Sequence, residues 1–173
     1  MNRGLTRRAL LAALLVVAGF SGRPVLAQDA PMVVYLVRHA EKVDDSRDPL
    51  LSPAGTARAQ LLAGMLKDAG ITHVWSTDYQ RTRLTAEPTA AALGLKVETY
   101  NPAQSAEFVA RLKATPGRHL VVGHSNTTPG LVKALGGDPQ GEIVDTEYDR
   151  LYLVTIGGTV TSVLLRYGHR SQP

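Results

Sequence analysis

The sequence predicts an α/β fold: a mainly parallel sheet, covered by helices on both faces and completed by an antiparallel hairpin. Three observations predict it. Short apolar runs rich in Val and Leu alternate with longer stretches of helical period. Three of those longer stretches stop at glycine, at Gly70, Gly94 and Gly136-Gly137. Near the C-terminus, two strand-like runs flank Gly157-Gly158, as a hairpin requires.

Residues 32–37 read as a buried strand through Val33, Val34, Leu36 and Val37. Ser52-Pro53 opens a helix as N-cap and first-turn proline. Leu61, Leu62, Met65, Leu66 and Ala69 form its expected apolar stripe, and Gly70 its expected stop. Residues 71–76 are a second strand. A helix is expected from about Tyr79 to Leu93, with a kink at Pro88. Residues 95–99 give a short third strand, and Ser105 to Ala114 a helix with Phe108, Val109 and Leu112 inward. Residues 119–123 are a fourth strand, followed by a helix from about Thr128 to Leu135. Residues 150–156 and 159–166 make the hairpin.

The first 27 of the 173 residues read as a leader rather than as fold. Arg3, Arg7 and Arg8 precede an uncharged run, Ala9 to Phe20, that is short for a bilayer span. Val25-Leu26-Ala27 then places small residues where a signal peptidase cuts. An amphipathic helix or a retained anchor is the alternative. Arg7-Arg8 also has the look of a twin-arginine export signal. The expectation is a signal peptide, 1–27, and one mature domain, 28–173, in the periplasm or secreted, with no membrane span after cleavage. Cleavage removes four arginines and no acid, which leaves 15 basic and 15 acidic side chains. The positive charge of the whole chain therefore belongs to the leader, and no nucleic-acid partner is expected. With no cysteine, an exported chain has no disulfide, and its core must hold it together.

In open sheets of this kind, ligands bind beyond the carboxyl ends of the strands. Arg38-His39 follows the first strand. Arg81 follows the second, in Ser76-Thr77-Asp78-Tyr79-Gln80-Arg81, and His124 follows the fourth. Two imidazoles and two guanidiniums thus stand at three carboxyl ends of one sheet. Guanidinium forks match the spread charge of a phosphoryl group in transfer. A histidine nucleophile splits hydrolysis into two displacements through a phosphohistidine. A second imidazole and helix N-termini add donors. No metal-ligand spacing is present, and neither metal nor other cofactor is expected.

"LVRHAEK", "LLSPAGTARAQLLAGML", "STDYQRTRLTAEP" and "VVGHSN", in this order and spacing, resemble the histidine phosphatase superfamily, the phosphoglycerate-mutase-like fold. The resemblance covers nearly all of the mature chain. It implies a sheet of about six strands, one of them antiparallel. It implies a phosphorylated nucleophile at His39, and phosphoryl binding by Arg38, Arg81 and His124. The activity implied is a metal-independent phosphomonoesterase acting on a small phosphoester or an envelope phosphosugar. The alternatives are a non-catalytic phospholigand-binding protein and a phosphohistidine or phosphoprotein phosphatase. The family's Arg-His-Gly is Arg-His-Ala here, and Ala40 is small enough to be tolerated.

The general acid stands in no recognisable motif. Only 42 residues separate Arg81 from His124, and Glu98 and Glu107 are the candidates among them. Glu41, Ser125, Asn126 and Glu147-Tyr148-Asp149 are candidates for the pocket rim, the last also reading as a turn that leads into the next strand. His73, His119 and His169 read as structural or exposed.

Overall fold

The computed structural model describes residues 30–170, so the expected leader lies outside the described residues. Four helices and six strands follow the order expected. The strands are β1 (Met32–Arg38), β2 (His73–Ser76), β3 (Val97–Thr99), β4 (Arg118–Gly123), β5 (Arg150–Ile156) and β6 (Val160–Arg166). The helices are α1 (Pro53–Leu66), α2 (Gln80–Ala92), α3 (Ser105–Ala114) and α4 (Thr128–Ala134).

The strands form one sheet in the order β3-β2-β4-β1-β5-β6. β2, β3 and β4 run parallel with β1, and β5 pairs antiparallel with both β1 and β6. Only β5 therefore opposes the other five, as the resemblance implied. Side chains alternate across the sheet with period two. Val34, Leu36, Val121 and Tyr152 pack against Phe108, Leu112, Leu131 and Leu135 of the α3 and α4 face. Val37, Val74, Leu120 and Val122 pack against Leu62, Leu66, Ala86 and Ala90 of α1 and α2. A strand buried on both sides needs apolar residues at consecutive positions, which is why β1 and β4 read as unbroken runs.

Ser52 caps α1 as expected, its hydroxyl accepting from the Gly55 amide at 3.1 Å. Loss of such a cap costs about 1 kcal/mol. The buried face of α1 differs from the expected stripe. It consists of Gly55, Arg58, Ala59, Leu62, Ala63 and Leu66, spaced three and one along the helix. Leu61 and Met65 are exposed, at 44% and 46%. Small residues bring α1 close to its neighbours, so its largest apolar side chains do not mark its inner face. The helix also ends at Leu66, before Gly70.

Candidate active site

Register builds the site. Arg38 lies opposite Gly123 in the β1–β4 ladder, so the next residue of each strand, His39 and His124, emerges side by side. The His39 amide donates to the Gly123 carbonyl at 2.9 Å, and the two imidazole centroids are 5.4 Å apart, edge to face. Gly123 has no room for a side chain. A Cβ there would meet the hydroxyls of Tyr100, Thr127 and Thr128 at 2.9 to 3.0 Å. Ser76 of β2 lies opposite Val122, which brings the β2–α2 segment to the same edge.

His39 is 4% exposed. Its Nδ1 lies 2.8 Å from the Ala40 carbonyl, an acceptor only, so Nδ1 carries the proton and Nε2 keeps its lone pair. Burial chiefly pushes its pKa down to about 3 against the support of that carbonyl; Arg38, His124 and Arg81 add to the effect. The ring is therefore neutral at any ordinary pH. The flanking arginines contribute to this depression, but burial is the larger cause. The Ala40 amide donates to the Thr85 hydroxyl at 3.0 Å, and that hydroxyl donates to the Arg81 carbonyl at 2.7 Å. The segment carrying His39 is thereby tied to α2.

His124 is held at both ring nitrogens. Nε2 lies 2.9 Å from the Thr77 hydroxyl, and Nδ1 lies 3.4 Å from Nη2 of Arg81. Burial, then Arg81, then Arg38 push its pKa down to about 4.

Each arginine is anchored on one side. Nη1 of Arg38 donates to the carbonyls of Val144, Asp145 and Glu147 at 2.8 to 3.0 Å. Its guanidinium lies 4.2 Å from the Tyr148 ring centre. Nη1 of Arg81 donates to the Arg47 carbonyl at 3.2 Å, and its guanidinium lies 4.5 Å from the Tyr79 ring centre. The Nε–H of each arginine is buried without a partner. Two orphaned donors beside a neutral imidazole with a free Nε2 suit a tetrahedral oxyanion, whose oxygens accept what these groups donate.

Arg38, His39, Arg81 and His124 are thus brought together. The other predicted residues are placed differently. Glu98 pairs with Arg111 at 2.8 Å, and Glu107 is exposed on α3; neither is hydrogen-bonded or ion-paired to the quartet. Glu41 holds Arg58 through both carboxylate oxygens at 2.7 to 3.0 Å. Glu147 is ion-paired with Arg150 and Arg166, and Asp149 with Arg166. Burial would raise the Glu147 pKa, but Arg150 and Arg166 outweigh it and hold the carboxylate ionised. The contribution of Glu147 to the quartet is its backbone carbonyl. Ser125 is half-buried and Asn126 exposed in the β4–α4 loop.

Sequence reasoning missed Tyr79, Thr77 and Thr82, whereas Tyr148 stands in a segment expected at the pocket rim. The Tyr79 ring meets His124 edge-on at 5.2 Å, and the Tyr148 ring is tilted against His39 at 6.0 Å. The α2 N-terminus was expected to offer donors to a ligand. Its first amide, Gln80, is instead taken by Asp48 at 2.7 Å.

An open cleft of about 780 Å³ adjoins the quartet at Tyr79 and is lined further by Arg47, Asp48, Asp78, Tyr100 and Asn101. Among the described residues, no group of three or more His, Cys, Asp or Glu could hold a metal ion. None of their helices is long and apolar enough to cross a membrane.

The six-stranded α/β sheet gathers two histidines and two arginines at its carboxyl edge, a donor set that suits a phosphoryl group. Residues 34–102 match the description of the histidine phosphatase superfamily, branch 1. Over 73 residues the chain is 38% identical to the "Probable phosphoglycerate mutase GpmB" of Yersinia enterocolitica, and equally to that of Yersinia pestis. That stretch is 38% of this chain and 34% of the relative, so the chain spans about a third of the length of the curated relatives it matches. Among solved structures, the protein histidine phosphatase SixA complexed with tungstate superposes with a TM-score of 0.61 at 21% identity. The superposition covers 78% of this chain and 94% of that one. The mycobacterial glucosyl-3-phosphoglycerate phosphatase gives 0.63 at 15% identity, over 79% and 98%. At these identities the likeness is one of fold.

Proposed function

We propose that this chain is an exported, metal-independent phosphomonoesterase that works through a phosphohistidine on His39. The observation that carries the reading is the His39 Nδ1–Ala40 carbonyl contact of 2.8 Å. It commits Nδ1 to donation and leaves Nε2 as a neutral nucleophile between two arginines with unused donors. In the first step Nε2 attacks phosphorus, and a P–N bond forms as the bond to the leaving oxygen breaks. Arg38, Arg81 and His124 hold the equatorial oxygens. In the second step water attacks phosphorus, the P–N bond breaks, phosphate departs and Nε2 regains its lone pair; the proton that the leaving oxygen takes from solvent in the first step is returned by the attacking water in the second. Export rests on the leader-like residues 1–27, with the domain at 28–173; fractionation should find a shortened chain outside the inner membrane.

A second reading, a phosphohistidine or phosphoprotein phosphatase, is favoured by one observation. Neither Glu98 nor Glu107 reaches the quartet, and Asp145 and Asp48 are held as ion pairs 3.8 Å from Arg38 and 3.9 Å from Arg81, so leaving groups that depart without a strong acid are preferred. A phosphorylated imidazole is such a substrate, and a protein histidine phosphatase shares the fold.

Rapid quench of the purified protein with labelled aryl phosphate tests the main reading. An acid-labile, alkali-stable label on His39 is expected, and His39→Ala should lose both label and turnover. Activity should survive EDTA and be inhibited by vanadate. A label on His124 or Ser125, or activity restored only by a divalent cation, overturns it.

A further inference from the structure

We propose that Thr77 and Thr82 are positioning residues that fix the tautomer of His124, so that its Nδ1 takes up a proton when a doubly charged oxyanion binds beside His39. The inference rests on reading the quartet as a phosphoryl site. Its argument is a count of hydrogens along a buried chain. Thr77 and Thr82 are both fully buried, at 0% exposure. The Thr82 hydroxyl has one hydrogen and lies 3.0 Å from the Thr77 carbonyl and 2.8 Å from the Tyr79 carbonyl, which only accept. It also lies 2.9 Å from the Thr77 hydroxyl, which in turn lies 2.9 Å from Nε2 of His124.

Two directions are open to this chain. In one, Thr82 donates to a carbonyl, Thr77 donates to Thr82, and Nε2–H of His124 donates to Thr77. Each of the three hydrogens then meets an acceptor, and the Thr82 hydrogen serves a carbonyl. In the other, Thr82 donates to Thr77 and Thr77 donates to Nε2. Thr82 then gives up both carbonyls, and the ring proton moves to Nδ1, where it faces the N–H of Arg81 at 3.4 Å. Both ends of the chain select the first direction: the carbonyls at Thr82 and the guanidinium at Nδ1. Neutral His124 therefore turns a lone pair, not an N–H, toward the arginine that serves the oxyanion site.

A lone pair repels an oxyanion. Binding of a dianion requires that a proton be placed on Nδ1, from solvent or from a monoanionic ester, to give an N–H that donates to oxygen. One N–H bond forms and no bond to phosphorus changes. The groups that face His124 are Arg81 and Tyr79 from the β2–α2 side, and Arg38 and His39 from the end of β1. Its own loop contributes Ser125, Asn126 and Thr127, none of them titratable in this range. The incoming dianion offsets part of what keeps this imidazole neutral, which is burial first and then Arg81 and Arg38.

Tungstate tests this directly, because it is a dianion across neutral pH and any proton taken up must land on the protein. Titration calorimetry of the whole chain in buffers of different ionisation enthalpy should give uptake of about one proton per tungstate. Nitrogen NMR of the unliganded protein should show His124 protonated at Nε2. Thr77→Val frees the ring to carry its proton on Nδ1, so proton uptake should fall toward zero and kcat/KM on aryl phosphate by about 100-fold. Thr77→Ser should restore both. If the valine variant does not fold, the tautomer and the uptake of the wild type decide alone. A His124 proton on Nδ1, an unchanged uptake in a folded Thr77→Val, or no tungstate binding by the wild type overturns the proposal. Absence of turnover with uptake intact would remove the phosphatase reading and leave this one standing.

Discussion

Gly55 and Gly64 lie on one helix, and the same substitution should act on them with opposite sign. In a helix interior, Gly→Ala stabilises by about 1 kcal/mol through backbone entropy. A Cβ at Gly64 meets nothing within 4 Å, so Gly64→Ala should show that gain. A Cβ at Gly55 would lie 2.2 Å from the Glu41 carbonyl oxygen and 2.9 Å from its nitrogen. Both are backbone atoms of the segment that leaves His39, so no flexible side chain can yield. Relief requires the start of α1 to lift. That strains the hydrogen bond from the Ser52 amide to the Glu41 carbonyl, 2.9 Å long, and the Arg58–Glu41 pair. Overpacking of this kind costs about 1–3 kcal/mol where side chains can adjust, and the rigid contact here places Gly55→Ala at the upper end, about 3 kcal/mol. Urea unfolding at a common slope reads the two signs as a raised and a lowered midpoint. Turnover should fall in Gly55→Ala, because the strain falls on Glu41, the residue after the Ala40 carbonyl that orients His39. A Gly55→Ala midpoint at or above wild type would refute the close approach on which this argument depends.

Other consequences follow from the same contacts. Arg58, 6% exposed, donates to Glu41 and to the carbonyls of Tyr167 and His169, so Arg58→Met should destabilise by about 3 kcal/mol, read by urea midpoint. Glu98→Gln and Glu107→Gln should lose no more activity on an alkyl phosphate than on an aryl phosphate. A selective loss on the alkyl ester would return one of them to the role of acid. The folded pKa of His39, about 3, lies below its unfolded value of 6.5. The unfolded chain therefore binds more protons between these values, and stability falls as pH drops below 6.5 and levels off below about 3. From pH 7 to pH 5 the loss for His39 should be about 2 kcal/mol. His39→Ala should unfold with correspondingly less dependence on pH over that range, and an unchanged dependence would contradict the buried, neutral imidazole.

How legible the molecule was in its sequence depends on the range of each interaction. The strands, the Ser52 cap and the inward face of α3 rest on local period and local chemistry, and they stand where expected. The quartet was legible because each member directly follows a strand or opens the helix after one, so topology alone aims it at one edge. The inner face of α1 was misjudged because Ala59, Ala63 and Gly55 set its packing, and small residues give little hydrophobic signal. Arg58 is buried beneath large apolar neighbours on the surface because its partners lie as far as 111 residues away.

The two tyrosines show what sequence spacing cannot supply. Tyr148 packs on Arg38 and His39, and Tyr79 packs on Arg81 and His124, so each arginine–histidine pair has one aromatic ring against it. A ring face beside a guanidinium favours the cation and holds its plane. The carbonyls of residues 144–147 then fix one nitrogen of Arg38, and the carbonyl of Arg47 one nitrogen of Arg81. Each arginine still offers its Nε–H, and neither of these has a partner among the described residues. Neither loop announces this in sequence. Glu147-Tyr148-Asp149 reads equally as a turn before β5 and as a pocket wall, and the choice is made only when β5 folds back beside β1, more than a hundred residues from Arg38. The fold therefore does more than collect four side chains: it occupies part of each guanidinium with backbone carbonyls, so that a bound oxyanion meets donors already fixed in place.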